Sequence, residues 1–167
     1  MSSVVPEGWQ VKRLGDVGKC VRGLTYSPDN ICDEGLLVLR SSNIQNGQLS
    51  FEDNIYVDLD VDEQFLSNDG DILICVRNGS RNLLGKSTLI KGDRPKSTHG
   101  AFMTIFRSQT SDYAQHLIKS DKFFQEVSRD IGATINSINT GNLLNYKFLI
   151  PPLPEQKKIA SILTSVD

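Results

Sequence analysis

The chain has 167 residues, 38% hydrophobic and 23% charged, which is ordinary for a soluble globular protein and short for two domains. No apolar run approaches the roughly 18–20 residues that span a bilayer, and the N-terminus lacks the basic start and long apolar stretch of a secretory signal. A cytoplasmic protein with no membrane partner is expected, and a net charge of −2 means that any contact with DNA must come from a local basic face.

In chain order, residues 9–14 alternate like a strand or an extended entry segment. Gly15, Gly18 and Gly23 punctuate the next stretch, and Tyr26-Ser27-Pro28-Asp29-Asn30 reads as a loop. Leu36-Leu37-Val38-Leu39 predicts a strand that runs straight into polar Arg40-Ser41-Ser42-Asn43. Asn46-Gly47, flanked by Ile44 and Leu49, predicts a tight turn, and Ile55-Tyr56-Val57 a short strand. The clearest strand is 71–77, where five consecutive apolar residues suit burial on both faces. A polar stretch over 77–82 precedes a strand at 86–90. A second polar connection, 91–100, leads to a strand at 101–107. The period then changes. Asp112 can cap a helix, with Tyr113, Leu117, Phe124, Val127 and Ile131 as a broken apolar stripe across two helices and Gly132 as the stop.

Residues 136–142 lack a strong signal, and Phe148-Leu149-Ile150 is a strand ended by Pro151-Pro152. From about Pro154 a helix is expected to project from the domain, with Ile159, Ile162, Leu163 and Val166 at helical spacing. The fold class expected is mixed α/β (α+β), one domain with a bent or barrel-like sheet plus helices. Its span is residues 1–150, with a hinge and the start of a helix over 151–167.

Little in the chain supports catalysis or a cofactor. Cys20, Cys32 and Cys75 are odd in number and lack metal-ligand spacing, so three reduced thiols are expected, with Cys75 a small core hydrophobe. His99 and His116 have no Cys, Asp or Glu at ligand spacing, and no phosphate loop or methyltransferase tetrapeptide is present. No metal, ATP or S-adenosylmethionine binding is expected. The acids Glu52, Asp53 and Asp71 leave a metal-dependent catalytic reading as a rival, and a domain that binds only proteins is another.

Loops after strands carry the hydrogen-bonding capacity. Arg77, Asn78, Ser80, Arg81, Asn82 and Lys86 surround one connection; Arg94, Lys96, Ser97, Thr98 and His99 fill the next; Arg40, Ser41, Ser42, Asn43 and Gln45 end an earlier strand. Arg, Asn, Gln, Ser and Thr match base edges in the major groove, and Lys and Arg anchor phosphates.

The tail is more specific. Phe148-Leu149-Ile150-Pro151-Pro152-Leu153-Pro154-Glu155-Gln156, followed by Ile159-Ala160 and Leu163, resembles the end of a target-recognition domain and the start of the conserved helix in specificity subunits of Type I restriction-modification systems. Upstream, Gly8-Trp9 with Leu14-Gly15-Asp16-Val17 is similar to that family's opening. Leu39-Arg40-Ser41-Ser42-Asn43-Ile44 with Gly47 is similar to its second block. Gly70-Asp71-Ile72-Leu73-Ile74, with Gly79, Gly85-Lys86 and Gly100-Ala101-Phe102-Met103, resembles its middle, and Thr134-Ile135-Asn136-Ser137-Ile138 with Leu143-Leu144 the segment before the helix.

The resemblance implies a non-catalytic module that reads one half of a split double-stranded DNA target. Two such domains are joined by antiparallel helices that act as a ruler. Modification subunits methylate adenine with S-adenosylmethionine, and a restriction subunit supplies ATP-driven translocation and cleavage. Pro151, Pro152 and Pro154 become the hinge, and Ile159, Ile162, Leu163 and Val166 the first turns of a coiled coil that can support weak self-association. One recognition domain and the beginning of the helix imply a fragment or a half-size subunit. Gly79, Gly85 and Gly100 are expected to serve tight loop geometry.

Overall fold

The computed structural model describes residues 4–132 and 135–166; Thr134 of the resemblance lies outside them. In chain order the strands are β1 (Gln10–Arg13), β2 (Lys19–Arg22), β3 (Ile31–Cys32), β4 (Leu36–Leu39), β5 (Ile44–Gln45), β6 (Gln48–Leu49), β7 (Ile55–Val57), β8 (Ile72–Cys75), β9 (Ser87–Leu89), β10 (Ser97–His99) and β11 (Met103–Arg107). Helices α1 (Ser111–Ile118), α2 (Asp121–Asp130) and α3 (Thr140–Leu144) come next, then β12 (Lys147–Ile150) and helix α4 (Leu153–Ser165).

Two four-stranded sheets form the body. One is antiparallel in the order β2-β11-β8-β9; the other has the order β10-β4-β7-β3, with β10 parallel to β4. Strands β1 and β12 pair separately, and β5-β6 is a hairpin on Asn46 (φ 54°) and Gly47 (φ 74°), the two left-handed residues that its tight turn requires. Among the described residues no sheet closes on itself, so the barrel-like alternative gives way to separate sheets. The two large sheets are joined edge to edge only through the isolated bridge Leu24↔Gly100, among the described residues.

Side-chain alternation explains the layers. Along β8, Ile72 and Ile74 face the helices, while Leu73 and Cys75 face the second sheet; all are fully buried. Along β4, Leu37 and Leu39 join Leu73 and Cys75, whereas Leu36 and Val38 turn outward onto Val57. A strand covered on both faces needs an unbroken apolar run, which is what residues 72–76 supply. Each such side chain contributes about 1.5–3 kcal/mol of burial.

Four expectations about local structure are corrected. Residues 91–100 are not only a polar connection, because Ser97–His99 forms buried strand β10. Helix α1 starts at Ser111 after Thr110, so Asp112 lies in its first turn and does not cap it. Its end at Ile118 resets the helical phase: Ser120 Oγ caps α2 by accepting from Phe123 N (3.2 Å), and Phe123 (0% exposed), not Phe124 (37%), enters the core. There its ring meets Tyr146 and Phe148 at 6.0 and 6.5 Å between centroids. Residues 136–142, read as weakly structured, contain the start of α3, capped by Asn139 accepting from Asn142 N (3.1 Å).

Helix α4 projects less than expected. Gln156 and Ala160 are buried, Ile159 packs partly on the core, and His116 Nε2 lies 3.2 Å from Thr164 Oγ1 on the facing helix. Trp9 Nε1 donates to Glu155 Oε2 (2.6 Å), tying the first turn to the N-terminal segment. Ile162, Leu163 and Val166 face away and are exposed. The tight approach of backbones falls at Gly23, where a Cβ would lie 2.0 Å from Gly100 O. Gly85 has φ +85° and Gly100 takes part in that close approach, but Gly79 is neither left-handed nor crowded, which corrects the expectation for Gly79 alone.

Candidate nucleic-acid interface

The carboxyl ends of β4, β8 and β10 open onto one groove of about 510 Å³. Three connections build it. After β4, the turn Ser41–Asn43 is held by buried Asn43, whose Oδ1 accepts from Arg40 N (2.8 Å) and whose Nδ2 donates to Ser50 O (2.9 Å). This presents Ser41 and Ser42 to the groove, while the Arg40 guanidinium pairs with Asp53 (3.2 Å) and its main-chain carbonyl (3.0 Å).

After β8, Asn78 Oδ1 accepts from Ser80 N (2.8 Å) and its Nδ2 donates to Ser41 Oγ (3.3 Å), joining the first two connections. After β10, the turn through Gly100 and Ala101 sets Phe102 at the groove wall, 55% exposed. Arg77 N donates to Phe102 O (3.1 Å), and the Arg77 guanidinium lies over the Phe102 ring, 5.3 Å from its centroid. The opposite wall is apolar, made by Leu24, Tyr26, Pro28 and Ile31.

The expected residues therefore divide. Arg40, Ser41, Arg77 and Asn78 come together. Ser80 and Asn82 are on the same β8–β9 connection, and Lys86 lies opposite Cys75 at its far end. Arg81 is engaged inside the molecule: its guanidinium donates to Ile131 O (3.1 Å), Gly132 O (2.6 Å) and Asn136 Oδ1 (3.4 Å), binding carbonyls after α2. Arg94 and Lys96 lie elsewhere. They precede β10, at the opposite end of the parallel pair β4-β10; Arg94 pairs with Asp69, and Lys96 shares a depression with Asp58 and Asp60. Ser97, Thr98 and His99 point inward, with Thr98 Oγ1 donating to Phe65 O (2.7 Å) and His99 Nε2 to Val21 O (2.7 Å). Burial holds the His99 imidazole down to about 4, so it is neutral.

Sequence reasoning missed Phe102, placed within a strand although β11 begins one residue later. The preceding Gly100 was the available turn signal. It also missed Asn136, whose Nδ2 donates to Gly79 O (3.1 Å) beside the Arg77↔Ser137 bridge.

The acids of the catalytic rival are dispersed. Asp53 holds Arg40, and Asp71, 2% exposed, accepts a bidentate pair from Arg107 with both distances 2.9 Å. No group of three His, Cys, Asp or Glu able to hold a metal occurs among the described residues. Among them, too, no helix is long and apolar enough to cross a membrane.

The strand-end loops of this mixed sheet-and-helix domain gather neutral amide and hydroxyl groups beside an exposed Arg–Phe pair, which makes a candidate recognition surface. Comparison with known proteins makes the class specific. Residues 6–167 match the Type I restriction modification DNA specificity domain, and the chain belongs to that family. It is 32% identical to the EcoKI specificity subunit of Escherichia coli K12, over 97% of this chain and 37% of that protein. It is 30% identical to the MjaVIII specificity subunit of Methanocaldococcus jannaschii, over 98% of this chain and 40% of that protein. The fold is shared with a chain from a type I R-M assembly (TM-score 0.75, 19% identity, 98% of this chain and 39% of that one). It is also shared with the HsdS subunit from Thermoanaerobacter tengcongensis (TM-score 0.71, 19% identity, 98% and 38%). The chain thus spans about two fifths of the proteins it matches.

Proposed function

We propose that this domain reads one half of a bipartite double-stranded DNA target and directs a Type I restriction-modification methyltransferase and endonuclease to it. The observation that carries the reading is the convergence of three strand-end loops on one groove, in a chain that matches a DNA specificity family from residue 6 to residue 167. Asn78 and Ser41 supply neutral donors and acceptors for base edges, and Lys86, with no ion-pair partner among the described residues, supplies a phosphate contact. A role confined to protein binding is not favoured by this membership.

On this reading residues 1–150 form the recognition domain and 151–167 the hinge and first turns of a spacer helix. The domain does no chemistry itself, holds no cofactor, and works in the cytoplasm with modification and restriction subunits. Mapping methylated sites in cells that express the complete complex tests the function. Asn78→Ala is expected to relax one position of the methylated motif. Lys86→Ala is expected to weaken binding to all duplexes alike and lower the salt slope by about one unit. A complex without sequence preference for duplex DNA contradicts the reading.

Exposed Ile162, Leu163 and Val166 support pairing of α4 with another helix, with Ile159 at the edge of that stripe. Two turns make a small interface, so sedimentation across concentrations is expected to show weak, concentration-dependent association that Leu163→Asp abolishes. A strict monomer at millimolar concentration excludes it.

A further inference from the structure

Resting on that reading of the groove, we propose that Arg77 is the side chain with which this domain reads a guanine, and that Phe102 is the positioning residue that holds it for the task. The arginines decide this by their partners. The chain has eight. Six have guanidinium N–H groups already donated to protein oxygens: Arg13 to Asp16 and Asn145, Arg40 to Asp53, Arg81 to Ile131 and Gly132, Arg94 to Asp69, Arg107 to Asp71, and Arg129 to Glu126. Arg22 and Arg77 remain. Each lies over an aromatic ring and has no oxygen acceptor among the described residues.

Surroundings separate the two. Arg22 covers Phe65, which comes after Asp58, Asp60, Asp62 and Glu63, the most acidic stretch of the chain. A duplex approaching there meets like charge. Arg77 stands between Asn78 and Phe102, both of which line the groove.

The geometry of the Arg77–Phe102 contact suits readout. The guanidinium carbon lies over the ring, 5.3 Å from its centroid, and none of the five N–H donors has an oxygen acceptor among the described residues. Contact with the ring restricts the side chain while its donors keep no oxygen acceptor among the described residues. A planar fork held this way fits the O6 and N7 acceptors that guanine presents in the major groove. A phosphate offers a similar pair of oxygens, but the lining next to Arg77 is neutral. Among the described residues the only cation lining the groove, Arg40, is neutralised by Asp53, and the remaining polar groups are neutral hydroxyls and Asn78. The groove is built for base edges.

The experiment selects duplexes from a randomised library with the assembled complex containing this chain, then measures binding to the selected site. A guanine is expected in the half-site, and replacing it with 7-deazaguanine, which lacks the N7 acceptor, should weaken wild-type binding about tenfold or more. The same replacement should have no effect on Arg77→Ala. Arg77→Lys, a point charge without the fork, should bind but lose most of the discrimination. Phe102→Leu should lose discrimination with an unchanged melting temperature, because the ring is largely exposed, and Phe102→Tyr should restore it. Three outcomes overturn the proposal. A preference that Asn78→Ala alters but Arg77→Ala leaves intact removes Arg77 while the reading of the groove stands. A uniform loss on Arg77→Ala, with a salt slope lower by about one unit, assigns Arg77 to a phosphate. Absence of any sequence preference in the wild-type complex removes the groove's function and this inference together.

Discussion

Arg107→Met is expected to destabilise the protein by about 3–5 kcal/mol, because it leaves the Asp71 carboxylate buried without its counter-charge. Asp71 sits at the head of β8, where the carboxylate accepts from Asn68 N (2.7 Å) and takes two further bonds from Arg107 (2.9 Å each). The same guanidinium donates to Gln64 O and Leu66 O (3.0 Å each), so it also closes the chain that leads into β8. The neighbouring carboxylate holds Arg107 above its ordinary pKa, so the guanidinium stays charged throughout the accessible pH range. Methionine keeps the aliphatic volume and removes every one of these donors. Urea unfolding should show a lower midpoint with an unchanged slope, and Arg107→Lys an intermediate loss. A change below about 1 kcal/mol would mean that water screens the pair as it does at a surface.

Acid is expected to weaken the fold through His99, in a window set by its two pKa values. The ring is wholly buried on β10, with Nε2–H donating to Val21 O, and Nδ1 faces no partner among the described residues. Desolvation lowers its pKa from 6.5 to about 4; the hydrogen bond to Val21 and the field of Asp71 oppose that shift, and Arg107 reinforces it. Above pH 6.5 the imidazole is neutral in both states and its contribution is complete. Between 6.5 and 4 the unfolded chain takes up a proton that the folded state refuses, so stability falls as pH falls. Below about 4 both states are protonated and the loss levels off. A shift of this size corresponds to about 3 kcal/mol lost across the window. His99→Gln retains a donor for Val21 and does not titrate, so its stability between pH 6.5 and 4 should decline less steeply than the wild type's. Parallel wild-type and variant profiles would assign the acid sensitivity to other groups.

Residues 72–76, Leu36-Leu37-Val38-Leu39 and Asn46-Gly47 declared their structure in the sequence, because strand periodicity, apolar runs and left-handed turns are properties of neighbouring residues. The family was legible in the same way, from short motifs around residues 148–163, and the comparison over residues 6–167 agrees. Two kinds of feature were not legible. Ser97–His99 reads as a polar loop, and only a parallel partner in β4, with acceptors at Phe65 and Val21, makes burying those side chains favourable. Likewise, Arg77, Arg81 and Arg94 are chemically equivalent on paper. The tertiary structure alone gives Arg81 the carbonyls at the end of α2, gives Arg94 the Asp69 carboxylate, and leaves Arg77 over Phe102 with no acceptor among the described residues. Composition sets how many donors a surface carries, but which of them remain available depends on acceptors brought close from 25 to 51 residues away.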